Sequence, residues 1–320
     1  MFDILALFPG VPLFFMVSGF LITDSYFNSK TIKEYFFKRG LRIYPALFLN
    51  ILILEFAMYI GGNMSDNNIS FFEYIIYILG YMSTAVMGIG STLIGLKGVD
   101  IYHFDAFFSF YPSGVLWTLA IELSFYLLLP FVLYFKKSYK VVILTILSFL
   151  SIYITFFIDY TQSENFNAIM KLLTISILPY FWIFAIGIFM RLFWKNIQKF
   201  FIGYGIYYLI IYLVFSSFML YFTDTLGNYK TELYLSTIIQ TILMAFAMFS
   251  MAFSYTHIKF NRKTDLSYST YLYHMLIVQI LIGFGVMNSW YLYFIVIGAT
   301  FCIAYLSWTY IEKPMLKFKP

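Results

Sequence analysis

Apolar runs long enough to cross a bilayer follow one another along almost the whole chain. A membrane helix needs about 17–25 consecutive apolar residues. Runs of that kind lie near 4–23, 43–61, 115–134, 141–159, 168–190, 201–222, 231–254, 267–286 and 290–310. Apolar residues make up 62% of the chain and charged residues only 11%, with a mean hydropathy of +0.83. A soluble domain holds about 45–50% apolar and about 25% charged residues. The expectation is an all-α, polytopic integral membrane bundle, one domain over residues 1–320, without a soluble module, linker or repeat. Of the 40 Phe and 30 Tyr, most are expected to cover lipid-facing surface and pack helices, and some to line a cavity.

The charges give a topology. Basic residues cluster at Lys30–Arg42, at Lys136, Lys137 and Lys140, at Arg191, Lys195 and Lys199, at Lys259, Arg262 and Lys263, and at Lys313, Lys317 and Lys319. The positive-inside rule places all five clusters in the cytoplasm. The formal net charge of +5 is therefore a membrane signature, and no nucleic-acid partner is expected. The alternate connections carry acids, among them Asp66, Glu73, Asp100, Asp105, Asp159, Glu164 and Asp224. Counting Phe71–Gly88 as a span would invert this pattern. Region 62–114, with Gly80, Gly88, Gly90 and Gly95 and its end at Tyr111-Pro112-Ser113-Gly114, is expected to be re-entrant or interfacial, a lid or wall over an outward-facing cavity. The first span then runs inward from an outside Met1, which suggests that one helix is missing ahead of it. It is not a cleavable signal peptide, because no basic segment precedes the apolar run.

Few residue types remain for chemistry. Cys302 is the single cysteine, so no internal disulfide and no thiolate metal site are expected. His103, His257 and His274 fall at different membrane depths, and a three-histidine zinc site is not expected. Glu122 lies inside the run Val115–Tyr134, where a carboxylate costs about 2.5–3.5 kcal/mol on insertion scales. It either works in a cavity, orienting a histidine, accepting a proton or binding a hydroxyl, or stays protonated and bonded to a neighbouring helix. Trp117 and Tyr126 bracket it and shape a pocket, or Trp117 anchors at the interface. His274 is the histidine placed within a span. It takes a proton from an acceptor hydroxyl, or it packs against a carbonyl or Tyr271. Arg39 and Arg42, three apart, share a helical face at a cytoplasmic mouth. They grip phosphates, or they are topology determinants. Glu312, ahead of Pro314, pins the last helix end, by pairing with an arginine. Glu55 is a further intramembrane acid; Lys171 and Lys230 lie against the charge pattern.

Five strings stand at consistent depths: Gly10-Val11-Pro12-Leu13-Phe14-Phe15-Met16-Val17-Ser18-Gly19-Phe20-Leu21-Ile22, Arg39-Gly40-Leu41-Arg42-Ile43-Tyr44-Pro45, Trp117-Thr118-Leu119-Ala120-Ile121-Glu122-Leu123-Ser124-Phe125-Tyr126, Leu266-Ser267-Tyr268-Ser269-Thr270-Tyr271-Leu272-Tyr273-His274 and Tyr310-Ile311-Glu312-Lys313-Pro314. In this order, over nearly the whole chain, they resemble the acyltransferase 3 family of membrane-bound O-acyltransferases. The resemblance implies about ten helices, the nine runs matching the second to the tenth, and a missing first helix that would carry an arginine and a catalytic histidine. Pro12 stands where many relatives have Asp.

The resemblance also implies a function. An acyl group, acetyl by default, passes from cytoplasmic acyl-CoA to a hydroxyl of a lipid-linked or surface polysaccharide, in a bacterial-type cytoplasmic membrane. Acyl-CoA is then a co-substrate, with no bound cofactor. His274 and Glu122 are the expected catalytic residues, and Arg39 and Arg42 the donor contacts. Ser18, Trp117, Tyr126, Tyr271 and Glu312 support the pocket. Two rivals remain at this point: a proton-coupled transporter or flippase, and a non-catalytic truncated relative. No inverted repeat favours the transporter.

Overall fold

The computed structural model describes residues 8–60, 115–161, 173, 176–223, 235–254, 264–283 and 291–319. The segment 71–88 with the rest of region 62–114, Met1, His103, His257, Lys171 and Lys230 lie outside the described residues, as do the side chains of Glu55 and Trp117. Among the described residues the regular structure is helical throughout. The principal helices are α1 (Gly10–Phe27), α2 (Ile32–Ile60), α3 (Leu116–Tyr134), α4 (Lys137–Thr161), α5 (Phe181–Ile197), α6 (Gly205–Thr223), α7 (Leu235–Ser254), α8 (Ser267–Gly283) and α9 (Leu292–Ser307). A wide π turn, Trp308–Glu312, leads into the short α10 (Lys313–Leu316).

Among the described residues, five helical stretches are long and apolar enough to cross a membrane: Gly10–Phe27, Ser138–Phe156, Leu178–Phe200, Leu235–Ser254 and Leu292–Leu316. Thr118–Tyr134 and Gly205–Leu220 are shorter apolar helices. Their outer faces show large apolar side chains, with Phe131 72%, Phe149 69% and Phe294 68% exposed. Water would not leave so many rings uncovered, so the chain is an integral membrane protein whose solvent on these faces is lipid.

Helix α2 begins eleven residues before the apolar run that predicts it. Thr31 provides the reason, because its hydroxyl accepts the Glu34 N–H at 3.1 Å. Thr31-Ile32-Lys33-Glu34 has the spacing of a capping box, so the basic segment is helix and Arg39 and Arg42 ride on its first turns.

The residues group into two compact units, each with its own packing. The first comprises Met1–Lys30 and Phe125–Phe260. Its tightest approach joins α1 to α5 at two glycines. A Cβ on Gly19 would stand 2.2 Å from the Phe184 carbonyl oxygen, and one on Gly187 would stand 2.1 Å from that of Met16. Backbones come this close only where side chains are absent, and lipid-embedded helices associate through such small-residue contacts. Around the crossing, the Phe125 and Phe184 rings stack with centroids 3.7 Å apart. Ser151 of α4 holds the start of α5, donating to the Leu178 carbonyl at 2.5 Å and accepting the Trp182 N–H at 3.1 Å.

The second unit comprises Thr31–Ser124 and Asn261–Pro320. Its core joins α2, α8 and α9 through Leu54, Tyr273, Leu276, Ile277 and Ala304. Polar bonds set the register of these helices. The Asn50 amide donates to the Leu272 carbonyl at 3.2 Å. The Tyr273 hydroxyl lies 3.1 Å from the Ala46 carbonyl and 3.0 Å from the Ser307 hydroxyl. Bonds of this kind average about 0.6 kcal/mol within a bilayer, so they fix geometry more than they hold the fold.

Candidate active site

The candidate residues of the second unit form two connected groups. In the first, Tyr271 of α8 is the hinge. Its hydroxyl hydrogen-bonds to Thr118 Oγ1 on the first turn of α3. Its backbone carbonyl lies 2.6 Å from His274 Nδ1. A carbonyl can only accept, so Nδ1 donates here, and in a neutral ring with this tautomer the lone pair is at Nε2. His274 is half-buried. Glu122, one turn beyond Thr118, is 5% exposed and within electrostatic reach of the Tyr271 hydroxyl. Tyr271 thus links the two, Glu122 through its hydroxyl and His274 through its carbonyl.

The contact joins the first turn of α3 to the first turns of α8, whose start carries the basic end of the unit.

The second group is that basic end. Arg42 Nη2 pairs with Asp265 Oδ2 at 2.8 Å, and its guanidinium lies 5.8 Å from the Tyr268 ring centroid. Asp265 also accepts the Ser267 hydroxyl at 2.7 Å and its N–H at 3.3 Å, which closes the turn before α8. Partial burial pushes the Asp265 carboxyl up, but the Arg42 charge and the Ser267 bonds outweigh it and hold the group below its ordinary range. Lys38 pairs with Glu34 at 2.5 Å. Lys319, from the chain end, comes within electrostatic reach of Arg42, Arg39 and Lys38. Burial first, then the repulsion of those cations, lowers the Lys319 pKa. Among the described residues four cations, Lys38, Arg39, Arg42 and Lys319, face three acids at this end: Asp265, Glu34 and Glu312, the last within electrostatic reach of Arg42. Such a surplus favours an anion with several oxygens, and guanidiniums bind phosphates through paired N–H bonds.

Glu312 does not form the arginine pair expected of it. Asp265 takes the guanidinium of Arg42, and Glu312 Oε1 accepts the hydroxyls of Ser269 and Ser307, the latter at 2.9 Å. The carboxyl is 1% exposed, and its Oε2 has no hydrogen-bond partner among the described residues. Pro314 lacks the N–H that would bond to the Tyr310 carbonyl, so a wide turn at this point leaves less of the backbone ladder broken.

Ser18 and Tyr126 belong to the first unit, and both are buried. Ser18 sits beside Gly19, the residue that admits α5. Thr118, Asp265, Ser269, Ser307 and Lys319 escape a reading of the sequence alone. Asp265 had one available signal: it is an acid in a connection otherwise marked by Lys259, Arg262 and Lys263. Among the described residues no three His, Cys, Asp or Glu converge as metal ligands.

A family model of an acyltransferase domain, Acyl_transf_3, matches residues 2–309. The chain is 33% identical to Nodulation protein 10 of Rhizobium leguminosarum bv. viciae, over 99% of this chain and 84% of that protein. It is 27% identical to a Staphylococcus aureus (strain COL) protein named for O-acetyl transfer. It is 26% identical to O-acetyltransferase OatA of Staphylococcus aureus (strain NCTC 8325 / PS 47). Each of these two matches covers 97% of this chain but 53% of the relative, so the chain spans about half the length of its staphylococcal relatives. No solved structure matches the chain. A family match over nearly the full length, on a helical membrane scaffold, means that the chain belongs to the acyltransferase 3 family and is a transferase of acyl groups other than amino-acyl groups.

Proposed function

We propose that the protein transfers an acyl group, acetyl by preference, from acyl-CoA on the cytoplasmic side to a hydroxyl of a cell-surface or lipid-linked polysaccharide. It would work as one transmembrane domain of nine spans, with a re-entrant or interfacial segment, in a bacterial-type cytoplasmic membrane. The observation that carries this reading is the His274 ring: Nδ1 is committed to the Tyr271 carbonyl, and Nε2 is left as a base. The cation surplus around Arg42 supports a phosphate-bearing donor, and the names of the staphylococcal relatives support acetyl.

In this mechanism His274 Nε2 takes the proton of the acceptor hydroxyl as its oxygen attacks the thioester carbonyl. The tetrahedral oxyanion collapses, the carbon–sulfur bond breaks, and the thiolate leaves with the proton returned from the imidazolium. Glu122 and Tyr271 orient the acceptor, with Trp117 shaping its pocket. Arg39 and Arg42 hold the coenzyme phosphates, while Glu312 supports the helix ends behind them.

Acyl transfer by membranes carrying the protein tests this. Arg39→Ala and Arg42→Ala are each expected to raise KM for acyl-CoA by roughly 10-fold or more, since a bond to a charged group contributes about 1.5–3 kcal/mol. His274→Ala is expected to lower kcat by about 10²–10⁴-fold with KM little changed. Glu122→Gln should lower kcat/KM for the acceptor. Full activity in all four variants overturns the assignment.

A further inference from the structure

The cytoplasmic half of α2 has a second face, turned away from Arg39 and Arg42 by helical register, and that face is hollow. Phe36, Phe37, Gly40, Tyr44 and Phe48, with Met315 of α10, enclose a groove of about 480 Å³ without a charged side chain. Ligand cavities commonly hold about 300–1,000 Å³. Two features of the sequence make the hollow. Gly40 supplies no side chain, and a Cβ built there meets only Tyr44 Cδ2, at 3.8 Å. Pro45, also in the lining, takes the N–H away from the Leu41 carbonyl and loosens the helix wall at that turn.

The mouth of the groove is basic. Lys33 lies three and four residues before Phe36 and Phe37, hence on the same face one turn nearer the cytoplasm, and it is exposed. Lys313 and Lys317 stand two residues to either side of Met315, hence on the other face of the short α10, and both are exposed. None of these three lysines has an ion pair with a described residue. Glu34, the acid nearest in sequence, is held by Lys38. An apolar slot ending in unpaired cations at a cytoplasmic interface matches one kind of molecule, an acyl chain beneath an anionic headgroup. We propose that this groove binds an acidic glycerophospholipid of the cytoplasmic leaflet. One acyl chain would lie along Gly40 and Tyr44, the headgroup phosphate would meet Lys33, and Lys313 and Lys317 on α10 would add to the positive field around it. The bound lipid braces, from behind, the helix that bears the two arginines. The inference does not depend on the acyl-transfer reading.

Native mass spectrometry of the full chain, with defined lipids added in mild detergent, is the test. The wild type should retain one phosphatidylglycerol in preference to phosphatidylcholine. Gly40→Leu places a side chain in the hollow and should abolish retention, whereas Gly40→Ala should keep it. Lys33→Gln with Lys317→Gln should cut the preference for phosphatidylglycerol by roughly tenfold or more, by the usual contribution of a lysine near an anionic surface. This pair lies on the surface and carries the test alone should Gly40→Leu fail to fold. Equal retention of the two lipids by the wild type, or full retention by Gly40→Leu, overturns the proposal. So does a retained lipid unaffected by the lysine changes, or a Gly40→Leu effect that splits a dimer of the chain without releasing lipid.

Discussion

His274 shows how much one backbone contact decides. The Tyr271 carbonyl three residues earlier fixes which nitrogen holds the proton, and helix geometry alone places it there. Asp265 has a comparable role toward Arg42, and its lowered pKa sets a window of pH. A carboxyl depressed on folding contributes stability above its ordinary pKa of 3.8, and that contribution disappears as pH falls through the lower folded value. The Asp265 side chain is 51% exposed, so the pair contributes at most about 0.2–1 kcal/mol. Asp265→Asn should lower the apparent Tm by a few degrees or less at pH 7. The gap to wild type should persist down to about pH 4 and close only in stronger acid, as thermal scans across pH would show. Arg39 and Arg42 are legible in sequence because the cost of charge beside a membrane marks them. Asp265 is not, because its partner is 223 positions away and its own connection is dominated by cations.

Among the helices, α1 and α5 depend on each other at two residues. The Gly19 and Gly187 contacts leave no room for a methyl group against backbone that cannot give way. Gly19→Ala and Gly187→Ala are each expected to reduce the folded, monodisperse fraction severely in fluorescence-detected size exclusion. Gly298→Ala on α9 meets nothing within 4 Å and should match wild type. The string around Ser18-Gly19-Phe20 owes at least its glycine to this crossing. Sequence alone could not show it, since Gly187 is far along the chain and no local pattern announces a partner. The capping box at Thr31 was legible in principle. The apolar run beginning at Ile43 hid it, because hydropathy locates the buried part of a helix and not its end.

At the scale of the molecule, the bilayer makes the helices readable. Each apolar run must satisfy its own backbone, so each described run becomes a helix and only its ends shift. Contacts between runs are not readable in the same way: Thr118 and Tyr271 meet across 153 positions, and no local pattern pairs them. The single thiol offers a check on the lipid-facing surface. Cys302 is exposed on α9, beside Phe301 and one turn from Tyr305. A charged, impermeant maleimide should leave it unmodified in sealed vesicles of either orientation and modify it once the protein is unfolded in detergent, because the thiolate that reacts does not form in lipid. Labelling by the charged reagent in the vesicles would mean that this face meets water. The wide turn Trp308–Glu312 has a consequence for comparing chains of this kind. A surplus residue in a helix offsets everything after it by about 100°. A homologue one residue shorter there would aim Met315 and its flanking lysines elsewhere, even with every side chain conserved. In this tail, length encodes direction.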